Sequence, residues 1–154
     1  MKIALNPSPI DGEINNLPLE KVDWLILNSV EGRALAGRQA PDDIINSLNA
    51  RYPDTAVILT LGEKGAVYSF RGNRIFHQSF PVKAVDTTAA GDTFTGYFIA
   101  LVGEGFTPEK ALKTAVAAAA VAVTRMGAAT SVPSLAEVRE FISKSGDTLG
   151  TEIK

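Results

Sequence analysis

Short apolar runs of strand length alternate with amphipathic helical stretches along most of this chain, and that alternation restricts the fold to a layered α/β architecture. Trp24-Leu25-Ile26-Leu27 and Ala56-Val57-Ile58-Leu59-Thr60-Leu61 are continuous apolar runs of the kind buried on both faces, the second closing at Gly62. Ile44, Ile45 and Leu48 form the stripe of a helix that starts near Pro41. Ala66 to Phe70 and Ile75 to Gln78 flank Arg71-Gly72-Asn73, which predicts a hairpin. Phe94, Tyr97, Phe98 and Leu101, spaced i, i+3, i+4, i+7, predict a further helix face. Thr107-Pro108-Glu109 supplies cap, first-turn proline and acid for another helix, which the alanine-rich run carries to Arg125. Ser134-Leu135-Ala136-Glu137 is a capping box opening a last helix, with Leu135, Val138, Phe141 and Ile142 facing inward. The chain reads as one domain over 1–145 followed by a polar, frayed tail over 146–154.

Composition narrows the function. At 154 residues and 45% apolar content the chain can bury a substantial core, and its formal net charge of −2 gives no electrostatic footprint for nucleic acid or an anionic membrane. No stretch approaches the roughly 20 apolar residues that a membrane span needs. The chain has no cysteine, hence neither disulfides nor thiolate metal sites. The expectation is a cytoplasmic protein with no nucleic-acid or membrane partner.

The stretch with most chemical content is Asp86-Thr87-Thr88-Ala89-Ala90-Gly91-Asp92, where two acids bracket small residues that run into the Phe94 helix. Val82-Lys83-Ala84-Val85 before it is predicted to be a short strand, so the heptapeptide is a strand-to-helix turn. The first amides of a helix have no internal acceptor and carry partial positive charge, which favours an anion there. Ala89, Ala90 and Gly91 would let a phosphate approach the backbone, and Gly91 would also tolerate unusual dihedrals. Asp92 is then either a helix cap or, beside a bound phosphate, the acceptor of a proton from an attacking hydroxyl.

Two further loops follow predicted strands at their carboxyl ends, where ligands of α/β sheets lie. Asn28 follows Leu27 and stands three residues before Glu31, which is either a cap with a solvated acid or a pair holding a hydrated cation. Thr60-Leu61-Gly62-Glu63-Lys64-Gly65 is either a glycine-containing turn or a loop passing beneath phosphates. Together with the heptapeptide, the three are expected to converge on one cleft. Gly32 to Gln39 has the glycine spacing of a Walker A loop without its Lys and Ser/Thr, and His77, the only histidine, has no nucleophile elbow to serve and reads as a surface strand residue.

Asp86 to Phe94 resembles the second signature of the ribokinase/PfkB carbohydrate kinases, Asp-Thr-x-Gly/Ala-Ala-Gly-Asp. Asn6-Pro7-Ser8-Pro9, Asn28-Ser29-Val30-Glu31, Thr60 to Gly65, and Arg125 to Ala129 with Ser131-Val132-Pro133 resemble further segments of that family in the same order. The resemblance implies the C-terminal, nucleotide-binding and catalytic half of a ribokinase-like α/β/α fold. The family's Gly-Gly-Asn signature, most of its sugar contacts and its β lid have no counterpart here. It implies ATP, Mg2+ and K+ as cofactors and phosphoryl transfer from ATP to a primary hydroxyl of ribose or a related sugar. Asp92 would be the base, and the amides of Ala89, Ala90 and Gly91 would steady the transferring group. Asn28, Thr60, Leu61, Gly62, Glu63, Lys64, Gly65, Gly91, Asp92 and Val116 would meet nucleotide, Val116 standing where many relatives carry a polar residue. Asp86, Thr88, Ala122, Arg125, Gly127 and Ser131 would hold a monovalent cation, mostly through carbonyls, and Glu31 would hold magnesium through water. Alone, such a half is expected to turn over little, and to self-associate through an open sheet edge or pair with the missing half. The alternatives are another kinase of the superfamily, for fructose phosphate, nucleoside or hydroxymethylpyrimidine, and a non-catalytic nucleotide-binding module.

Overall fold

A computed structural model of the chain describes residues 1–10 and 12–146, in two compact units, Met1–Phe76 and His77–Lys154. The tail expected over 146–154 lies, from residue 147 onward, outside the described residues. No described helix is long and apolar enough to cross a membrane.

The first unit is built on a five-stranded sheet in the order β1 (Ala4–Leu5), β2 (Trp24–Asn28), β3 (Ala56–Thr60), β4 (Ala66–Phe70), β5 (Asn73–His77). β1, β2 and β3 run parallel and β4 turns back antiparallel to β3, so the sheet is mixed. The continuous apolar runs are explained by their position: Leu25, Leu27, Val57 and Leu59 are at most 1% exposed in the interior strands. Helices α1 (Ser29–Ala36) and α2 (Pro41–Arg51) pack on this sheet. Ile44, Ile45 and Leu48 of α2 join the strand residues in one apolar cluster, as their spacing predicts. Pro41 opens α2 with Asp42 and Asp43 in its first turn, and Arg51 closes it, the charge order that the helix dipole favours.

Strand ends differ from expectation by a residue or two. β3 stops at Thr60 rather than Leu61, and β5 begins at Asn73 rather than Ile75, so the hairpin is a two-residue turn. Its central residues, Arg71 at φ 47° and Gly72 at φ 80°, both adopt left-handed geometry, the type that matches the twist of the flanking strands.

The second unit consists of α3 (Ala90–Gly103), α4 (Pro108–Ala122) and α5 (Leu135–Lys144), with α4 packed on both others. Thr107 and Ser134 cap α4 and α5 through their hydroxyls as expected. α4 is apolar nearly all round, with Ala111, Leu112, Ala115, Ala117 and Ala118 fully buried, and its small side chains allow close helix approach. It ends at Ala122 and not at Arg125, because Thr124 and Arg125 bond three residues back in a tightened last turn. On α5, Val138 and Ile142 are buried, whereas Leu135 and Phe141 are half-buried.

The strand expected at Val82 to Val85 does not form. The amides of Val85 and Asp86 both donate to the carbonyl of Val123, at 2.7 and 3.1 Å, instead of to a ladder. Pro81 supplies no amide, and the Val123 carbonyl, which the end of α4 leaves without a helical donor, accepts these two amides.

Candidate active site

In the first unit the candidate residues lie where β2 and β3 end side by side, Asn28 opposite Thr60 in the parallel register. Asn28 caps α1: its side-chain oxygen accepts from the amides of Val30 and Glu31, both at 2.9 Å, while Glu31 Oε2 accepts from the Asn28 amide at 2.9 Å. This reciprocal box satisfies amides that a helix start leaves open. Glu31 is only 4% exposed, which corrects the reading of it as a solvated acid; the backbone amide it serves draws it inward. Ser29 Oγ donates to the Thr60 carbonyl at 3.3 Å, fixing the cap against the neighbouring loop. That loop is a 3-10 turn over Gly62–Lys64, closed by the Leu61 amide on the Gly65 carbonyl at 2.8 Å, with Glu63 and Lys64 exposed. The turn and the candidate phosphate loop are thus one object, an exposed turn at a strand carboxyl end.

In the second unit Asp86 organises the turn into α3. Its Oδ1 accepts from the Thr88 amide at 2.9 Å and the Thr88 hydroxyl at 2.6 Å, and its Oδ2 from the Gly127 amide at 3.1 Å. The Thr88 hydroxyl, then the Thr88 amide and the Gly127 amide hold this carboxyl below its usual range, so Asp86 is ionised at neutral pH. Gly127 sits at φ 92°, where an L side chain is strained, and a Cβ there would meet Thr130 Oγ1 at 2.6 Å.

No side chain caps α3. Of the amides expected to meet phosphate, that of Ala90 turns back to the Thr87 carbonyl at 3.2 Å, whereas those of Ala89 and Gly91 have no backbone acceptor among the described residues. Gly91 has ordinary helical dihedrals, so the tolerance a glycine offers is not used there, and nothing lies within 4 Å of where a Cβ would stand. Asp92 is exposed in this first turn and caps nothing. An uncapped helix start with an adjacent carboxylate can bind an anion and accept a proton beside it.

The remaining expected positions are distributed as follows. Val116, Ala122 and Ser131 are buried, at 5%, 1% and 1% exposure. Ser131 Oγ donates to the Ala128 carbonyl at 2.7 Å, and Arg125 directs its guanidinium to Glu137 Oε1 at 2.7 Å. His77 ends β5, half-buried and stacked on Phe80 at 5.5 Å. Among the described residues no three acids or histidines cluster as a metal cage.

These features have a known counterpart: the profile of the pfkB family of carbohydrate kinases matches residues 1–135. The chain belongs to the pfkB carbohydrate kinase family. Among pfkB proteins it is 34% identical over 146 residues to the ribokinase of Haemophilus influenzae, covering 92% of this chain and 47% of that one. The crystal structure of Thermotoga maritima ribokinase matches with a TM-score of 0.82 at 35% identity, over 92% of this chain and 49% of that one. A ribokinase II from E. coli in complex with ATP and Mg2+ matches with a TM-score of 0.79 at 30% identity, over 93% of this chain and 49% of that one. The chain therefore spans about half the length of the pfkB relatives it matches.

Glu137 joins the site region in a way its capping box did not announce. Besides Arg125, its carboxylate takes the Ser134 amide at 2.7 Å and the Ser134 hydroxyl at 2.8 Å. Tyr97, read only as part of a helix face, donates its hydroxyl to the Pro133 carbonyl at 2.6 Å. The Ser134 amide, the Arg125 guanidinium and the Ser134 hydroxyl lower the Glu137 carboxyl from 4.5 to about 2. Because the folded value is the depressed one, the stabilisation is complete above 4.5 and is lost as pH falls towards about 2. Melting curves of wild type and Glu137→Gln are therefore expected to differ at neutral pH and to converge in strong acid; a gap that persists at low pH would exclude this origin.

Proposed function

We propose that this chain is the nucleotide-binding and catalytic part of an ATP-dependent sugar kinase, corresponding to the C-terminal half of the family fold. The acceptor is a primary hydroxyl of ribose or a related sugar. The observation that carries the reading is the uncapped start of α3, where open amides, absent side-chain bulk at Gly91 and the free carboxylate of Asp92 meet in one turn. Asp92 accepts the proton of the attacking hydroxyl, and the amides of Ala89, Ala90 and Gly91 donate to the charge that builds on the transferring group. For Ala90 this requires releasing Thr87.

Asn28, the Thr60 to Gly65 turn and Val116 contribute to nucleotide binding, Lys64 through its charge. Glu31 keeps Oε1 outside its cap, which suits water-mediated magnesium; that ion would neutralise phosphate charge. Asp86, already ionised, with Thr88, Ala122, Arg125, Gly127 and Ser131 would hold potassium, which would neutralise the turn. The complex of the E. coli relative with ATP and Mg2+ supports the nucleotide and the divalent ion.

Thermal shift tests this directly. MgATP at a hundredfold excess over its Kd should stabilise the chain by about 2.7 kcal/mol, with a larger shift in potassium than in sodium. No shift with nucleotide would refute the binding reading, and equal shifts in both salts would remove the monovalent cation. Sugar phosphorylation by this chain alone, at a rate comparable to relatives of twice its span, would refute the half-site reading.

The half-length match also favours a partner. The outer edge of β1 is open in the sheet order, and an open parallel edge is a template for pairing, with the other half of the fold or a second copy. A clean monomer in sedimentation would count against the second copy.

A further inference from the structure

The segment from Arg125 to Ser134 leaves α4 and enters α5 with one short 3-10 turn at Ala129–Ser131, and a single carboxylate joins its two ends. Glu137 Oε1 takes the guanidinium of Arg125, and Glu137 Oε2 takes the amide and hydroxyl of Ser134. Tyr97 adds a third tie at Pro133, from α3. Within the segment so closed, Ser131 bonds Ala128, and the Gly127 amide reaches outward to Asp86.

A capping box needs only Ser134 and Glu137. The Arg125 contact is no part of that box; it ties the α4 end of the loop that carries Gly127 to the start of α5, and fixing both ends of a loop reduces the conformations from which Gly127 must find Asp86. Gly127, with its left-handed backbone and Thr130 against it, has one arrangement to hold.

We infer that Arg125 and Glu137 are positioning residues: their contact closes the 125–134 loop, holds the Gly127 amide on Asp86, and so sets the turn that leads into α3. The inference deepens the proposed function and rests on reading that turn as the phosphate- and cation-binding element. It assigns to two side chains outside the turn the task of keeping it in shape. Arg125 has the fork geometry to grip a carboxylate already engaged by a helix cap, and Arg125→Lys would keep charge but lose the fork.

Amide hydrogen exchange on the full chain separates this from capping. Arg125→Ala should speed exchange at Gly127 by about threefold to tenfold while leaving the α5 first-turn amides and the buried Ala117 and Ala118 of α4 at wild-type rates. Glu137→Ala should speed both Gly127 and the α5 amides, and Arg125→Lys should fall between. In the same variants the potassium concentration that half-saturates the MgATP thermal shift should rise in step with Gly127 exchange. Unchanged Gly127 exchange in Arg125→Ala would overturn the inference, and if Glu137→Ala melts α5, the Arg125 variants decide alone. Wild type that ignores potassium would sink the cation reading, while Gly127 exchange would still judge the clamp.

Discussion

Asp92→Asn is expected to lower phosphoryl transfer by about 10²- to 10⁴-fold while leaving MgATP binding unchanged or tighter. The size follows from what a positioned proton acceptor contributes, and asparagine preserves shape but cannot take a proton. Binding should not suffer, because removing a negative charge beside a bound phosphate relieves repulsion. The fold should not suffer either: Asp92 makes no cap, and the loss of an acid from a helix first turn costs only about 0.3–1 kcal/mol. Transfer is measured as ADP release with the chain reconstituted with a first-half segment from a relative, and binding by thermal shift. Full turnover in the variant would remove Asp92 as the base; a collapsed melting temperature would make it a structural residue.

The second large effect is on stability. Leu48→Ala should destabilise the first unit by about 2–5 kcal/mol, a large part of the roughly 5–15 kcal/mol that holds a domain folded. Leu48 is fully buried on α2, in the apolar cluster with Ile44, Ile45, Val57 and Leu59, so truncation leaves a void lined by both helix and sheet. Asn46, two residues away and exposed, with Arg74 Nη2 on its Oδ1, is the control: Asn46→Ala should stay within about 0.5 kcal/mol. Urea titration reads both, and a Leu48→Ala midpoint equal to wild type would refute the placement of this core.

What the sequence made legible was what neighbouring residues decide. The apolar runs at Trp24 and Ala56 could only be interior strands, and Thr107-Pro108 and Ser134 to Glu137 carry their caps within four residues. What stayed hidden depends on distant partners. Val82 to Val85 has strand composition, yet its fate was set by the carbonyl of Val123. The Arg125–Glu137 and Asp86–Gly127 contacts obey no helical or strand period. In the candidate site, the heptapeptide's position at a helix start was readable from small residues before an apolar stripe. That Gly91 has ordinary helical dihedrals, and that the Ala90 amide is already engaged, required the backbone itself.

The three hydrogen bonds at Asp86 also set an arithmetic of lone pairs. A carboxylate offers about four acceptor sites, and Thr88 and Gly127 occupy three of them. A cation beside Asp86 can therefore draw on one lone pair there and must complete its shell with neutral oxygens. That stoichiometry suits an ion of single charge, whose need for anionic ligands one carboxylate meets, and disfavours a divalent ion, which would have to strip the turn of the bonds that shape it.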